Sequence, residues 1–309
     1  MSLLVLSAED IERLLTMDAC IEAMAEALAS LARDELYQPL RFVLKPPDAA
    51  GLMGFMPAHR SGERAAYSLK EIVVTPGNPT RGLDAHQGAV LLHDGQTGEL
   101  TALLNASPIT AIRTAAVSAV ATRALARPGA RSVAIIGTGV QGKAHEQGLR
   151  TVLGDDAEIR SWSRSSGGSP EELVRDADVV CTCTSSSEPV LSLAWLKPGA
   201  HVNAVGSSVP WACELDAETM AAGTLFVDRR ESTLNESGEY RRALEEGAIR
   251  PDHILAELGE VLIGAHPGRT RDDERTIFVS LGLAVEDLAA AELVVARARE
   301  HGIGVEVDF

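Results

Sequence analysis

The 309-residue chain predicts an α/β protein: a doubly wound parallel sheet, shortened at one edge, joined to a discontinuous α+β domain. Three observations carry that prediction. Over the second half of the chain short apolar runs alternate with helical or loop segments, as a parallel sheet with helices on its faces requires. One such run, Ser132–Ile136, enters the turn Gly137-Thr138-Gly139-Val140-Gln141-Gly142 and then a helical segment from Val140 to Leu153, the strand–turn–helix order of a Rossmann dinucleotide site. Between Pro39 and Leu104 the pattern is instead one of short β-rich fragments, which suit a mixed or antiparallel sheet.

Composition narrows the classes of function. With 45% hydrophobic and 23% charged residues the chain reads as globular, and no apolar run approaches the ~18 residues of a membrane span. The start, Met1 to Leu6, reaches Glu9 and Asp10 too soon for a signal peptide and has no basic flank, so a cytoplasmic location is expected. A net charge of −16 speaks against nucleic acid or an anionic membrane as partner. Cys20, Cys181, Cys183 and Cys213 show neither a C-x-x-C nor a Cys/His spacing, so no metal site is expected, and Cys181 and Cys183, alternating on an expected strand, read as reduced apolar fillers.

In chain order, Ser7 followed by Asp10, and then Thr16, mark successive helix starts. The second helix carries Cys20, Met24, Leu28 and Leu31 on one stripe that must be covered. The β-rich fragments are Leu40–Leu44, Leu52–Pro57, Ala66–Thr75, Gly88–His93 and Leu100–Leu104. The last two are joined by a glycine-containing hairpin loop. Pro108 to Ala126 is an Ala-rich helix closed by Arg127-Pro128-Gly129. After the glycine turn come apolar strands at Ala157–Trp162, Ala177–Thr184, Ala200–Val205 and Thr224–Val227. A helix from Val285 to Glu300 is expected to cross back onto the first domain. The domains are therefore 1–115 with 287–309, and 116–286, the second of them carrying the dinucleotide turn. Only Ser163 to Asp176 connects the second strand to the next, too few residues for two helices and a strand. The outer third strand should be missing.

In the glycine turn, Gly137 permits the bend, Gly139 lets backbone approach a pyrophosphate and Gly142 lets helix pack on strand. The helix N-terminus adds N–H groups and a partial positive charge. After the second strand the chain reads Ser161-Trp162-Ser163-Arg164-Ser165-Ser166. A carboxylate there would bind the 2′-hydroxyl of NAD. Arginine and hydroxyls at Ser163, Arg164 and Ser165 favour a 2′-phosphate, hence NADP(H) over NAD(H). The alternative is a solvated turn.

The chain resembles the ornithine cyclodeaminase/mu-crystallin family along nearly its whole length. The resemblance is carried by Lys70-Glu71-Ile72-Val73 through Pro76-Gly77-Asn78-Pro79, His86-Gln87-Gly88, Thr110-Ala111-Ile112-Arg113-Thr114-Ala115-Ala116 and the glycine turn. It continues in Thr182-Cys183-Thr184-Ser185, Asn203-Ala204-Val205-Gly206 and Gly282-Leu283-Ala284-Val285-Glu286-Asp287. It implies a cytoplasmic, usually dimeric, NAD(P)-dependent enzyme of amino or imino acids, with its cleft between the two domains. It also implies nucleotide contacts from Thr184, Ser185, Asn203, Val205, Gly206 and the Ser280-Leu281-Gly282 segment.

Hydride chemistry on such a substrate needs a cationic fork for the carboxylate, a proton donor near the nitrogen and an oriented nicotinamide. Arg113 and Arg41 suit the fork; read from residues alone, Arg113 is equally a surface charge on an Ala-rich helix and Arg41 part of an edge strand. Lys70, between Leu69 and Ile72, is either snorkelling at a sheet edge or a desolvated acid/base. The resemblance assigns Lys70 and Arg113 to the active site. His86 can donate to substrate or be a buried, hydrogen-bonded histidine. Glu286 and Asp287 read as cap or surface charges of the last helix.

Position 208 departs from the cyclodeaminases proper, which carry aspartate there for the side-chain amine of ornithine. Ser208 cannot pair with an ammonium, and serine is similar to the ketimine reductase and pyrroline-2-carboxylate reductase members. Trp211 offers either an apolar wall or a core residue, and Asp84 is a carboxylate where the family has proline. The expected activity is NAD(P)H-dependent reduction of a cyclic ketimine such as Δ1-pyrroline-2-carboxylate, catalysed through Lys70, Arg113 and Arg41 with His86 and Ser208 in the substrate site. The rivals are an ornithine cyclodeaminase, an alanine-dehydrogenase-like enzyme, and a non-catalytic nucleotide- or ligand-binding protein.

Overall fold

The computed structural model describes residues 2–309. In chain order the elements are β1 (Ser2–Leu6), α1 (Ala8–Leu14), α2 (Met17–Ala32), β2 (Leu36–Tyr37), β3 (Phe42–Leu44), β4 (Leu52–Arg60), β5 (Ala66–Val74), β6 (His86–Asp94), β7 (Leu100–Asn105) and α3 (Ala106–Leu125). There follow β8 (Ser132–Ile136), α4 (Val140–Leu153), β9 (Glu158–Trp162), α5 (Glu171–Val174), β10 (Val179–Thr182), β11 (His201–Ala204), α6 (Ala217–Ala222) and β12 (Thr224–Val227). The chain closes with α7 (Arg230–Glu236), α8 (Gly238–Glu245), β13 (Ile254–Glu257), α9 (Leu258–Leu262), β14 (Thr276–Val279), α10 (Ala284–His301) and β15 (Val305–Asp308). They divide into two compact units, one running to Arg113 and resuming at Leu283–Phe309, the other Thr114–Gly282. The sequence places these joints after 115 and after 286. The first joint lies inside the continuous helix α3, where no composition change marks it.

The first unit is built on a mixed sheet ordered β15-β1-β7-β6-β5-β4-β2, with β3 beside β4. Strand alternation sorts its residues into two faces. The cross-strand row Met56–Lys70–Val90–Leu104–Leu6 lies on one face and every member is buried. Helix α10 packs against β4, β5 and β6 and against α2. Its alanines Ala289, Ala290, Ala291 and Ala298 are buried, and their small side chains let the helix axis lie close to its neighbours. Of the α2 stripe, Cys20, Met24 and Leu28 are fully buried and Leu31 is partly exposed. Ser7 and Asp10 form the expected capping box of α1. Lys70 is thus the one charged member of a core row.

The second unit holds an all-parallel sheet ordered β13-β12-β14-β11-β10-β8-β9. Strands β10, β11 and β14 are buried at every position, as expected of parallel strands covered on both faces. β8 is flanked by β9 on one side and β10 on the other, so the strand order reverses at the C-terminal end of β8, where open α/β sheets bind ligands. β9 is the edge strand. Between Trp162 and Val179 the chain forms only a 3-10 turn at Arg164–Ser166 and the one-turn helix α5.

Candidate active site

The residues singled out in sequence fall into two groups, one in each unit. In the second unit β8 ends at the glycine turn. Gly137 has φ +125°, a conformation open to glycine, and a Cβ there would sit 2.4 Å from the carbonyl oxygen of Cys183. A Cβ on Gly142 would lie 2.0 Å from the Gly137 carbonyl oxygen, so this glycine sets the close approach of α4 to the turn. Gly139 differs: a Cβ there would meet no atom within 4 Å. Thr138, Gly139 and Val140 are exposed, Gly139 is the N-cap of α4, and no side chain caps that end. A helix end of this kind offers backbone N–H groups and a partial positive charge to an anion. Gln141 is partly buried, and its carbonyl oxygen lies 2.8 Å from Nδ1 of buried His145. Burial pushes His145 down to about 4, so the ring is neutral and structural.

Two further loops follow β10 and β11. A buried carboxylate, Glu214, ties them together. It accepts from the Thr182 hydroxyl at 2.7 Å, the Thr184 N–H at 2.6 Å and the Gly206 N–H at 2.6 Å. Thr184 is partly exposed, Ser185 exposed and Val205 buried, while Ser208 is partly exposed beside buried Ser207. Glu239 accepts from the N–H groups of Glu214 and Leu215, each at 3.2 Å. Burial, followed by the charge of Glu214, pushes Glu239 up to about 7. Burial raises Glu214 as well. Asn203 is engaged below this level, donating to the Thr122 hydroxyl at 2.9 Å. The segment after β14 is held by buried Asp228, which accepts from the N–H groups of Leu281 and Gly282 at 2.6 and 2.9 Å.

Beyond β9 the Ser163 hydroxyl lies 2.9 Å from that of Ser165 and 3.1 Å from that of Ser166. Arg164 and Ser165 are exposed, and the Trp162 ring N–H donates to the Gly167 carbonyl at 2.9 Å. The turn carries no carboxylate. The glycine bend, the uncapped helix end and the open space at Gly139 fit a nucleotide pyrophosphate.

In the first unit the charged residues meet inside the protein. Lys70 on β5 and Arg113 on α3 are 2% and 4% exposed, so neither of the surface alternatives holds. Lys70 Nζ lies 2.7 Å from Asp287 Oδ2. Arg113 donates through Nε to Asp287 Oδ1 at 3.0 Å and through Nη1 to Glu286 Oε2 at 2.8 Å. Burial lowers Lys70 to about 8, against the raising effect of Asp287, while the positive charges of Arg113 and Arg41 lower it further. Arg41 lies between β2 and β3 and is partly exposed. His86 on β6 is exposed as a residue. Its value is lowered first by the protein atoms crowding it and next by the charge of Lys70, against Asp84.

Several expectations need correction. Glu286 and Asp287 are not surface charges of the last helix. They are fully buried in its first turn and neutralise Lys70 and Arg113. Acidic residues are ordinary at a helix start, so the sequence alone carried no signal of this role beyond their place in a matching motif. Trp211 is 52% exposed and so is no core residue. Asp84 is exposed in the turn before β6, where its carbonyl oxygen accepts from the Asn78 and Gln87 amides. Glu214, Glu239 and Asp228 went unmarked in sequence, because an isolated acidic residue in a polar segment gives no sign of burial. Among the described residues no cluster of His, Cys, Asp and Glu suits a metal ion, and no helix is long and apolar enough to cross a membrane.

Known proteins are similar to this chain along nearly its whole length. The ketimine reductase mu-crystallin of Mus musculus is 39% identical over 309 aligned positions, covering 94% of this chain and 95% of that protein. The solved structure of Thermococcus litoralis Δ1-pyrroline-2-carboxylate reductase, in complex with NADH and L-proline, superposes with a TM-score of 0.92 at 34% identity, covering 98% of this chain and all of the other. An archaeal alanine dehydrogenase dimer with bound NAD also gives 0.92, at 31% identity over the full length of both. The profile of the ornithine cyclodeaminase/mu-crystallin family matches residues 1–169 and 165–302. The chain belongs to the ornithine cyclodeaminase/mu-crystallin family.

Proposed function

We propose that this protein is an NAD(P)H-dependent reductase of an imino acid, with a cyclic ketimine such as Δ1-pyrroline-2-carboxylate as substrate. The observation that carries the reading is Lys70: a lysine buried in a core row, lowered to about 8, and held beside Arg113 by a shared carboxylate. Such a group keeps a proton at neutral pH and gives it up readily, as a general acid toward an imine nitrogen should. Arg113 and Arg41 grip the substrate carboxylate, and His86 lines the substrate. A neutral hydroxyl at Ser208 holds no second ammonium, which suits an imine better than a diamine.

The glycine turn with Thr138, Val140 and Gln141, the loops at Thr184–Ser185 and Val205–Gly206, and the Ser163–Ser165 turn hold the cofactor. When bound, the reduced nicotinamide supplies the hydride. Arg164 and the absence of a carboxylate in that turn support NADP(H) over NAD(H). The sheet face opposite α10 supports a homodimer. Its cross-strand row Pro57–Leu69–Leu91–Leu103–Val5 is partly exposed, with exposed Phe42, Leu44, Tyr67 and Val73 on the same sheet. A second copy covering this face would bury it, and Leu91→Glu should then give a monomer in light scattering.

The functional test is a panel of NADH and NADPH oxidation with cyclic ketimines, with pyruvate plus ammonia, and with ornithine monitored for ammonia release. Oxidation confined to the ketimines is expected. Ammonia release from ornithine without net cofactor change, or binding with no turnover at all, would refute it.

A further inference from the structure

We propose that Asp287 is the positioning residue of the proton donor: one carboxylate, bridging Lys70 and Arg113, keeps the Lys70 ammonium charged and fixes where it points. The inference rests on the imine-reductase reading and adds a residue to it. Lys70 occupies a row otherwise made of Met56, Val90, Leu104 and Leu6. A lysine in such surroundings with no counter-charge loses its proton, falling to values near ~5–6, and a neutral amine has no proton to donate at neutral pH. Asp287 faces it at 2.7 Å, itself 0% exposed.

The carboxylate is held from two sides. Its other oxygen accepts from Arg113 Nε at 3.0 Å, and the start of α10 is fixed by the Val285 N–H donating to Gln38 Oε1 at 2.9 Å. The other groups acting on this cluster are Glu286 from α10, Arg41 from the loop before β3, His86 from β6 and Cys20 from α2. Glu286 bonds Arg113, Arg41 and His86 are positive or neutral, and burial pushes the Cys20 thiol up to about 12. Among them Asp287 is the carboxylate paired with Lys70.

In the reaction the Lys70 Nζ–H bond breaks with its electron pair left on Nζ, and a new N–H bond forms on the substrate nitrogen. The C=N carbon gains hydride, so the imine is reduced and the nicotinamide oxidised. The amine left at Lys70 regains its proton from solvent, and Asp287 draws it back.

The test compares Asp287→Asn, Asp287→Glu and Glu286→Gln with wild type, by the pH profile of kcat and by a carbon-13 titration of labelled lysine with Lys70 assigned by its loss in Lys70→Met. The wild-type midpoint should lie near 8. Asp287→Asn should move both the midpoint and the alkaline limb down by about one unit or more, and Glu286→Gln should leave them in place. Asp287→Glu should keep the midpoint but lower kcat about fivefold or more by misplacing the ammonium; this arm decides should Asp287→Asn not fold. An unmoved midpoint in Asp287→Asn, or full kcat in Asp287→Glu, would overturn the proposal. The titration needs no turnover, so an enzyme inactive on every imine would sink the functional reading while Asp287 is still judged.

Discussion

Around Lys70 the first unit packs four charged side chains into mutual contact and excludes solvent from them. Around Gly139 the second unit withholds side chains and leaves backbone open. On the proposed reading both regions receive a negatively charged ligand, by different physics. The cluster uses whole charges, and each buried ion must be paired or it costs several kcal/mol. The turn uses backbone dipoles at a helix end, which need no counter-ion and tolerate water. Substitutions should therefore disturb protonation in the first region and ligand access in the second.

The sharpest separation should come from Lys70→Met. It removes the proposed proton donor but leaves Asp287 with Arg113 as partner. Turnover should fall by roughly 10²–10⁴, while cofactor affinity, read by nucleotide fluorescence, stays within about twofold. Loss of cofactor binding as well would break the division between the regions.

Next in size is a pair of glycine variants. Gly139→Ala places a methyl group where no protein atom lies within 4 Å, so the cofactor Kd should rise about tenfold while Tm moves by only a few degrees. Gly142→Ala forces a methyl group to within 2.0 Å of a backbone oxygen and should lower Tm markedly. Equal Tm for the two would contradict the assigned roles.

Arg164→Ala should be smaller still. If the Ser163–Ser165 turn reads a 2′-phosphate as proposed, the substitution should raise the KM for NADPH about fivefold and leave that for NADH unchanged. The smallest effect is expected at Glu239. Its folded-state value of about 7 lies above the usual 4.5. The folded protein therefore holds a proton between these values that the unfolded chain has released, and stability falls as pH rises through that window. Glu239→Gln should flatten this slope and raise Tm above wild type at pH values beyond 7 by a few degrees. A slope unchanged by the substitution would show that the pair of buried carboxylates does not set it.

The same contrast explains which features are legible in the sequence. The glycine turn was legible because its geometry is local: strand, bend and helix lie within about twenty consecutive residues. The residue count between Ser163 and Asp176, from which a missing outer strand is expected, is a local argument of the same kind. Lys70 and Arg113 looked ambiguous one at a time, and only the family resemblance drew them together. Glu286 and Asp287 were misread because an acidic first turn looks the same whether it faces water or a buried lysine. That distinction is tertiary, created when α10 returns to pack on β4–β6. Strands β13 and β14 escaped notice for a similar reason: four-residue apolar runs acquire identity only from the neighbours they pair with.

The central claim, hydride to the C=N carbon and a proton from Lys70 to the nitrogen, is tested most directly by isotope transfer. Reduced cofactor deuterated at its transferable position is mixed with Δ1-pyrroline-2-carboxylate and the wild-type protein in ordinary water. The account predicts proline carrying deuterium on the carbon next to the carboxylate, formed in step with cofactor oxidation. Unlabelled proline, or cofactor that keeps its deuterium while substrate remains, would contradict it.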